Sequence, residues 1–421
     1  MKICIYEDEK TVDFFPITMT RATFEIRSGK TLLLEKILDF LGNPKDVCLY
    51  VRDYLVPVVK LRYPNYKVNE LNALRGDDVL FVNGRWLYMG EKLDVGKDEV
   101  LFNEENNIVM FKLGKENVER IVTGNFLENL KNIVNDLGKD TVKTTVYNWP
   151  WEPVLINKEV LEFDFKRLGK RGIYGKVYGD IEIVGEKEDL YIAPGAKVYP
   201  NVVIDTSEGP VMIDEGAKVY PFVFIEGPSS IGKKTYIMTG AKVREAFTAG
   251  PVCRVGGEVE ESIMHGYSNK YHDGFLGHAY VGEWVNLGAL TTNSDLKNDY
   301  SEVEVYINGR RVKTGSLKVG SLIGDHTKTS IGTLFNTGTV VGVMCNVLST
   351  DLSPKYIPSF TWYYAGRFSI GSGLRRMLRT AERAMARRDK VLTDAERELF
   401  KYLYEMTREE RETYIKRYSK K

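Results

Sequence analysis

The 421-residue chain has no glutamine, four cysteines and four histidines. Each scarcity excludes something. Cys4, Cys48, Cys253 and Cys345 lie far apart with no Cys-x-x-Cys spacing, which argues against a thiolate metal cluster and against a disulfide framework. No apolar run reaches the roughly 18 residues that a membrane-spanning helix needs. The opening MKICIYEDEK lacks the layout of a secretory signal, so the expectation is a cytoplasmic protein with no membrane partner. A formal net charge of +1 leaves no excess positive charge to hold nucleic acid. The missing glutamine, beside 28% charged residues and 25 tyrosines, resembles the composition of proteins from thermophiles.

What is present is organised around the histidines. His265, His272, His278 and His326 all fall in one stretch of the chain, and histidine is the side chain that changes charge near neutral pH. Around them recur short units: Ile192-Ala-Pro-Gly-Ala, Ile213-Asp-Glu-Gly-Ala, Ile231-Gly-Lys-Lys-Thr, Val281-Gly-Glu-Trp-Val-Asn and Ile323-Gly-Asp-His-Thr. This is hexapeptide-repeat sequence, which predicts a parallel β-helix. The spacing of 18 residues from Ile213 to Ile231 is one coil, and the 21 residues from Ile192 to Ile213 are one coil with a short bulge. Each aliphatic residue should stack on its counterpart one coil later. Residues 244–260 and 293–317 break the repeat and are expected to leave the solenoid as loops, the second with a hairpin turn at Asn308-Gly309.

The flanks differ. Residues 1–165 alternate short buried-type strands (Ile3-Cys-Ile-Tyr6, Val47-Cys-Leu-Tyr-Val51, Val79-Leu-Phe-Val82) with helical spacing over 30–41 and 117–137. That alternation predicts an α/β domain with a mostly parallel, doubly wound sheet. Residues 166–368 form the expected β-helix, and 369–421 a helical tail. In the tail Leu374, Met377, Ala381 and Ala384 share one helix face, opposite an arginine-rich face, and Thr393-Asp-Ala-Glu396 is a capping box. The arginine face has two readings, a surface for a phosphate-bearing ligand such as coenzyme A and a solvated face.

Hexapeptide β-helices are commonly acyltransferases, and acetyl transfer to an amine needs a base for the amine proton and donors for the oxyanion. His272 is the candidate base, with Asp273 to orient the ring and Gly274 to admit a ligand. The alternative is that Asp273-Gly274 is a coil corner with His272 merely beside it. His265, His278 and His326 read as structural.

The runs Cys253-Arg-Val-Gly-Gly-Glu-Val, Gly266-Tyr-Ser-Asn-Lys-Tyr-His-Asp-Gly-Phe-Leu-Gly277, Gly282-Glu-Trp-Val-Asn-Leu-Gly-Ala289 and Asn293-Ser-Asp-Leu-Lys-Asn-Asp-Tyr300 resemble the variant GlmU-like proteins of archaea and some bacteria. Those join a sugar-1-phosphate nucleotidyltransferase domain to a left-handed β-helix acetyltransferase. The resemblance implies His272 as catalytic base, Asn286 positioning an amino sugar, Arg254 binding phosphate, and Ala289 with Asn293 contacting acetyl-CoA. Phe275 stands where better-known members have a sugar-contacting tyrosine. The acidic run Glu258-Val-Glu-Glu261 replaces a phosphate-binding lysine, a role Lys270 would take over.

In the front domain, Phe15-Pro-Ile-Thr18, Arg21 and Arg27-Ser-Gly-Lys30 resemble the segment that follows a nucleotidyltransferase phosphate loop. The glycine-rich loop itself is replaced by Glu7-Asp-Glu-Lys-Thr11, and Arg85 occupies the place of a Mg²⁺-binding aspartate. By resemblance, Arg21, Arg27 and Lys30 would hold nucleotide phosphates, and Asp8 or Asp78 would bind Mg²⁺. The implied activity is acetyl-CoA-dependent N-acetylation of glucosamine 1-phosphate or a related amino-sugar 1-phosphate. It would be coupled to nucleotidyl transfer from a nucleoside triphosphate, giving UDP-N-acetylglucosamine in a homotrimer. Two alternatives stay open: a nucleotidyltransferase using UTP or dTTP whose β-helix only trimerises or regulates, and a binding scaffold in which both sites have decayed.

Overall fold

The computed structural model describes residues 1–349 and 351–419. The chain divides into two compact units, one of Met1–Phe14, Thr20–Ile26 and Thr31–Trp149, the other of Phe15–Met19, Arg27–Lys30 and Pro150–Lys421. The boundary therefore falls at Trp149 and not near 165. The reason is the helix Asn157–Leu168, whose Leu161 and Phe165 are buried with Tyr191, Ala193 and Met212 of the first coils.

The first unit is built on a seven-stranded sheet. In spatial order its strands are Gly138–Val142, Glu99–Asn103, Ile108–Leu113, Val79–Asn83, Lys2–Tyr6, Val47–Tyr50 and Lys67–Val68. Lys2–Tyr6 pairs in parallel with both Val47–Tyr50 and Val79–Asn83, and Ile3, Cys4, Ile5 and Tyr6 are all buried, as a strand covered on both faces requires. Ile108–Leu113 runs antiparallel to both its neighbours. The chain leaves Lys2–Tyr6 to one side and returns on the other at Val79–Asn83. That reversal is a topological switch point, and a crevice opens beyond the carboxyl ends of such strands. The helix expected over 117–137 is two helices, Lys115–Ile121 and Phe126–Val134. Gly124, at φ 79°, ends the first, and the Asn125 side chain caps the second by accepting from the N–H groups of Leu127 at 3.1 Å and Glu128 at 3.3 Å.

The second unit is the expected β-helix. Its coils contribute strands to three sheets of 10, 11 and 6 strands, parallel except for the final strand of the second. Ile192 pairs with Ile213, Ile213 with Ile231, and Ile231 with Ala249, and all four are buried. Residues 244–260 do not leave the solenoid: Phe247–Ala249, Arg254–Val255 and Glu258–Glu260 each take a rung in the three sheets. The coil is only shortened, so the hexapeptide spacing is lost while the stacking continues. Residues 293–317 do carry the hairpin. Glu304–Ile307 pairs antiparallel with Arg310–Lys313, and Asn308 at φ 47° and Gly309 at φ 76° make the two-residue turn that the twist of a hairpin favours.

Beyond the coils come Leu374–Ala386, Asp394–Met406 and Arg408–Ser419, the second capped by Thr393 and Glu396 as the sequence predicts. The strand Arg367–Ser369 folds back antiparallel on Trp362–Tyr364, the last rung. Its Phe368 meets Tyr414 at 6.0 Å and Tyr418 at 4.9 Å, ring to ring, so the final helix closes the end of the apolar core.

Ile213 is fully buried between Ile192 and Ile231. Replacing it by Ala leaves a cavity in a column that cannot collapse from one side, and the expected cost is about 2–5 kcal/mol. Urea unfolding at neutral pH should show this as a lower midpoint with the same slope.

Candidate functional sites

Around His272 the chain turns a coil corner. Gly274 sits at φ 122°, and a Cβ there would collide with the carbonyl of Thr291, so only glycine fits. The corner is fixed by backbone bonds from Leu290 N–H to the Asp273 carbonyl at 2.8 Å and from Glu258 N–H to the Gly274 carbonyl at 3.1 Å. Both His272 and Asp273 are exposed. His272 touches the ring of Tyr271 at 4.9 Å, and no hydrogen bond joins it to the Asp273 carboxylate. The orienting role expected of Asp273 is therefore absent, because the corner leaves both side chains in solvent.

Three polar residues form an outward column that includes Asn269, on the short strand leading into this corner. Arg254, Asn269 and Asn286 are register partners on successive coils. Asn269 donates to the Asn286 side-chain oxygen at 3.1 Å and accepts from Arg388 at 3.2 Å. The Arg254 guanidinium lies 3.7 Å over the Tyr236 ring and donates to the carbonyl of Cys253 at 2.8 Å. A cavity of about 290 Å³ runs past Asn269 and Asn286. Trp284 and Tyr267, stacked at 4.4 Å, line one side, and Arg383, Arg387 and Arg388 of the tail line the other.

Three expected contact residues are committed to the fold. Lys270 is buried inside the coil, donating to the Gly256 carbonyl at 2.9 Å and the His272 carbonyl at 2.6 Å. Burial pushes its ammonium down to about 8, and it is in no position to hold a substrate phosphate. Asn293 is a buried clip, accepting from Gly277 N–H at 2.9 Å and donating to the Gly277 carbonyl at 2.8 Å. Acetyl-CoA cannot reach it there. The Ala289 carbonyl accepts from Gly332 N–H at 2.7 Å, while its side chain is half-buried. Phe275 is half-buried in the coil after the acidic run, in register with Glu258.

His278 is the arrangement the sequence reading missed. Its Nδ1 lies 2.9 Å from Asp295 and its Nε2 2.9 Å from Glu261, and the ring is 3% exposed. Burial opposes its charge, but the two carboxylates outweigh burial and raise the imidazolium to about 9. The Glu261 carboxyl is correspondingly held low, chiefly by its hydrogen bond to the ring. Glu261 and Asp295 stand one coil before and one coil after His278, so the one-coil spacing was the available signal. His265 packs near Tyr280 with Glu283 at 3.4 Å, and His326 lies between the rings of Trp284 and Phe400.

In the α/β unit a cavity of about 630 Å³ opens at the switch point, lined among others by Tyr6, Asp8, Lys10, Arg85, Asn107 and Lys139. Arg85 follows Val79–Asn83 and grips Asp8 through Nε at 2.9 Å and Nη2 at 2.6 Å. Asn83 donates to the same carboxylate at 3.0 Å. Desolvation pushes the Asp8 carboxyl up, yet the Arg85 charge and hydrogen bonds hold it below the usual range. Asp78 accepts from Lys115 N–H at 3.0 Å and precedes the same strand that Arg85 follows, so it lies at the opposite end of that strand, whose five residues alone span roughly 17 Å at ~3.3 Å per residue. Of the two alternative Mg²⁺ ligands expected, Asp8 lines the cavity but is paired with Arg85, and Asp78 does not line it.

The expected phosphate ligands are dispersed as well. Arg21 is 1% exposed and does not line the cavity. Arg27 and Lys30 belong to the β-helix unit. There the Arg27 guanidinium donates to the His265 carbonyl at 2.9 Å and the Lys30 carbonyl at 2.6 Å, while the Lys30 ammonium pairs with Asp214.

Residues 3–172 match a family model described as sugar nucleotidyl transferase. The match runs past Trp149 through the helix Asn157–Leu168. Over 90 residues the chain is 33% identical to a bifunctional sugar-1-phosphate nucleotidylyltransferase/acetyltransferase of Sulfurisphaera tokodaii, covering 21% of this chain and 22% of the relative. Over 107 residues it is 33% identical to the bifunctional protein GlmU of Methanocaldococcus jannaschii, covering 25% of this chain and 26% of that protein. The alignments thus span about a quarter of the length of these relatives. Among solved structures, an Arabidopsis UDP-N-acetylglucosamine acyltransferase aligns with 52% of this chain and 79% of its own, at 14% identity and a TM-score of 0.17. The family match thus covers the front of the chain, and the two relatives, each similar over about a quarter of its length or less, are both named as bifunctional.

The His278 cluster fixes a pH dependence of stability. The folded-state value of about 9 lies above the ordinary 6.5, so the folded state holds the proton more tightly. The stabilisation is complete below about pH 6.5 and is lost as pH rises through about 9. It amounts to roughly 3 kcal/mol. Urea midpoints taken from pH 6 to 10 should fall across that window, and His278→Gln should flatten the fall.

Proposed function

We propose that the chain is a bifunctional transferase, acetylating an amino-sugar 1-phosphate in the β-helix and transferring a nucleotide to the product in the α/β unit. The acceptor best supported by the resemblance is glucosamine 1-phosphate, the product UDP-N-acetylglucosamine, and the working form a cytoplasmic homotrimer. One observation carries the acetyl-transfer half. Of the four histidines three are buried, and His272 alone is exposed, three residues after Asn269 of the column Arg254, Asn269 and Asn286, whose groups suit a sugar phosphate.

The chemistry follows from these groups. Neutral His272 takes the proton of the attacking amine as nitrogen bonds to the thioester carbonyl, the carbonyl oxygen gathers negative charge, and the tetrahedral adduct expels the coenzyme A thiolate. No cysteine intervenes. Cys4, Cys48, Cys253 and Cys345 are all buried, with burial pushing Cys253 and Cys345 up to about 11, so none offers a thiolate to carry the acetyl group. Transfer is direct. Asn286 and Asn269 present amide groups for sugar hydroxyls, and Arg254 offers a cation to the phosphate.

The nucleotidyl half rests on the family match over residues 3–172 and on the cavity at the switch point. With the glycine loop absent and Asp8 and Arg85 committed to each other, positive charge for the triphosphate comes from Lys10, Lys131 and Lys139, all at the cavity.

Replacing His272 by Ala should lower acetyl transfer from acetyl-CoA to glucosamine 1-phosphate by roughly 10²- to 10⁴-fold with little change in thermal stability. His278→Ala should cost stability far more than rate. The opposite pattern in steady-state kinetics would mean the base has been misassigned.

Titration calorimetry with UTP and dTTP tests the front unit. Lys139→Met should weaken nucleotide binding by about tenfold or more. If neither nucleotide binds the unaltered protein while acetyl transfer is intact, the chain is an acetyltransferase alone. Light scattering should report a trimer.

A further inference from the structure

The inward column of the 11-stranded sheet reads Val198, Val219, Ile237, Val255, Lys270, Leu287 on successive coils. Five are apolar, as the interior of a solenoid demands. Lys270 is 1% exposed and has no carboxylate on its ammonium. Its partners are two backbone carbonyls, Gly256 at 2.9 Å and His272 at 2.6 Å, so it ties two corners that lie one above the other. The packing is close. A Cβ on Gly257 would lie 2.8 Å from the Lys270 ammonium and 2.8 Å from the Gly274 carbonyl, and Gly257 at φ 67° is in any case a position that favours glycine.

A buried cation in an apolar column lowers stability relative to an aliphatic residue of equal size. Stacking alone would be served better by leucine or methionine. What the ammonium adds is a direct grip on the peptide group of the residue whose side chain is the exposed histidine. The residues on either side of that carbonyl are exposed at the corner, where a free loop would wander. A displacement of about 1 Å in a reacting group is enough to cost around 100-fold in rate.

We infer that Lys270 is a positioning residue for acetyl transfer: from inside the coil it holds the His272 carbonyl and so sets where the imidazole stands relative to the Asn269 and Asn286 column. This rests on the reading of His272 as the base. Lys270 touches no substrate in this role, and its effect should pass entirely through His272.

The test is a double-mutant cycle with Lys270→Met, which keeps length and volume and removes the donors, and His272→Ala. Acetyl transfer to glucosamine 1-phosphate is followed on full-length protein whose fold is checked by circular dichroism and melting. Lys270→Met should lower kcat by about 10- to 100-fold, leave KM for acetyl-CoA and glucosamine 1-phosphate within about twofold, and cause no further loss in the His272→Ala background. A folded Lys270→Met with kcat within about twofold of the parent overturns the inference. So does an equal fold-loss in both backgrounds, which would mark a general structural role. If His272→Ala itself keeps the parental rate, the assignment of the base fails, and the inference falls with it. Should Lys270→Met not fold, Lys270→Gln is judged by the same rule, since its shorter amide reaches one carbonyl at most.

Discussion

Everything in the β-helix unit hangs on one constraint: each coil must set its inward side chain directly on the one before. Parallel pairing in register fixes that stack, and the same register fixes what faces out. Ile192, Ile213 and Ile231 stack inside because their strands pair residue for residue. By the same pairing Arg254, Asn269 and Asn286 align outside. A site on such a scaffold is a column, assembled from residues one coil apart and rigid because the core beneath it is close-packed.

Buried charge is handled in three different ways. His278 is given a carboxylate on each ring nitrogen, which reverses the effect of burial on its proton. Lys270 is given carbonyl dipoles, too weak to cancel burial, and its proton is loosened. Asp8 is held by a full guanidinium charge, and stays ionised despite desolvation. Opposite charges, dipoles and desolvation thus decide the protonation of each group separately, and residue type alone does not tell which wins.

That difference explains what the sequence let one read. The β-helix was legible from the Ile-Gly-x-x units, because a period is preserved when the stack is. Residues 244–260 were misread as a loop because the coil shortens there, and a lost period does not mean a lost rung. The hairpin at Asn308-Gly309 was legible because its turn chemistry is local. His272 was legible as a residue beside Asp and Gly, but not its freedom from Asp273, which depends on how the corner turns. Lys270 and Asn293 looked like surface groups since polarity usually means exposure. Only strand register reveals that one points inward and that the other bridges coils. Arg27 and Lys30 were grouped with Arg21 by resemblance to one segment of nucleotidyltransferases, whereas the fold gives that four-residue segment to the other unit.

The closing of the last coil by Arg367–Ser369 and by Tyr414 and Tyr418 has a bearing on self-association. A parallel solenoid grows by adding rungs, and its final rung offers unpaired backbone groups over a bare apolar end, a template on which another chain can continue the stack. By turning the edge strand antiparallel and laying tyrosines across the core, the tail ends the series. Terminal capping of this kind is what separates a solenoid of fixed length from a fibre, and here it is supplied by the helix that lies farthest along the chain.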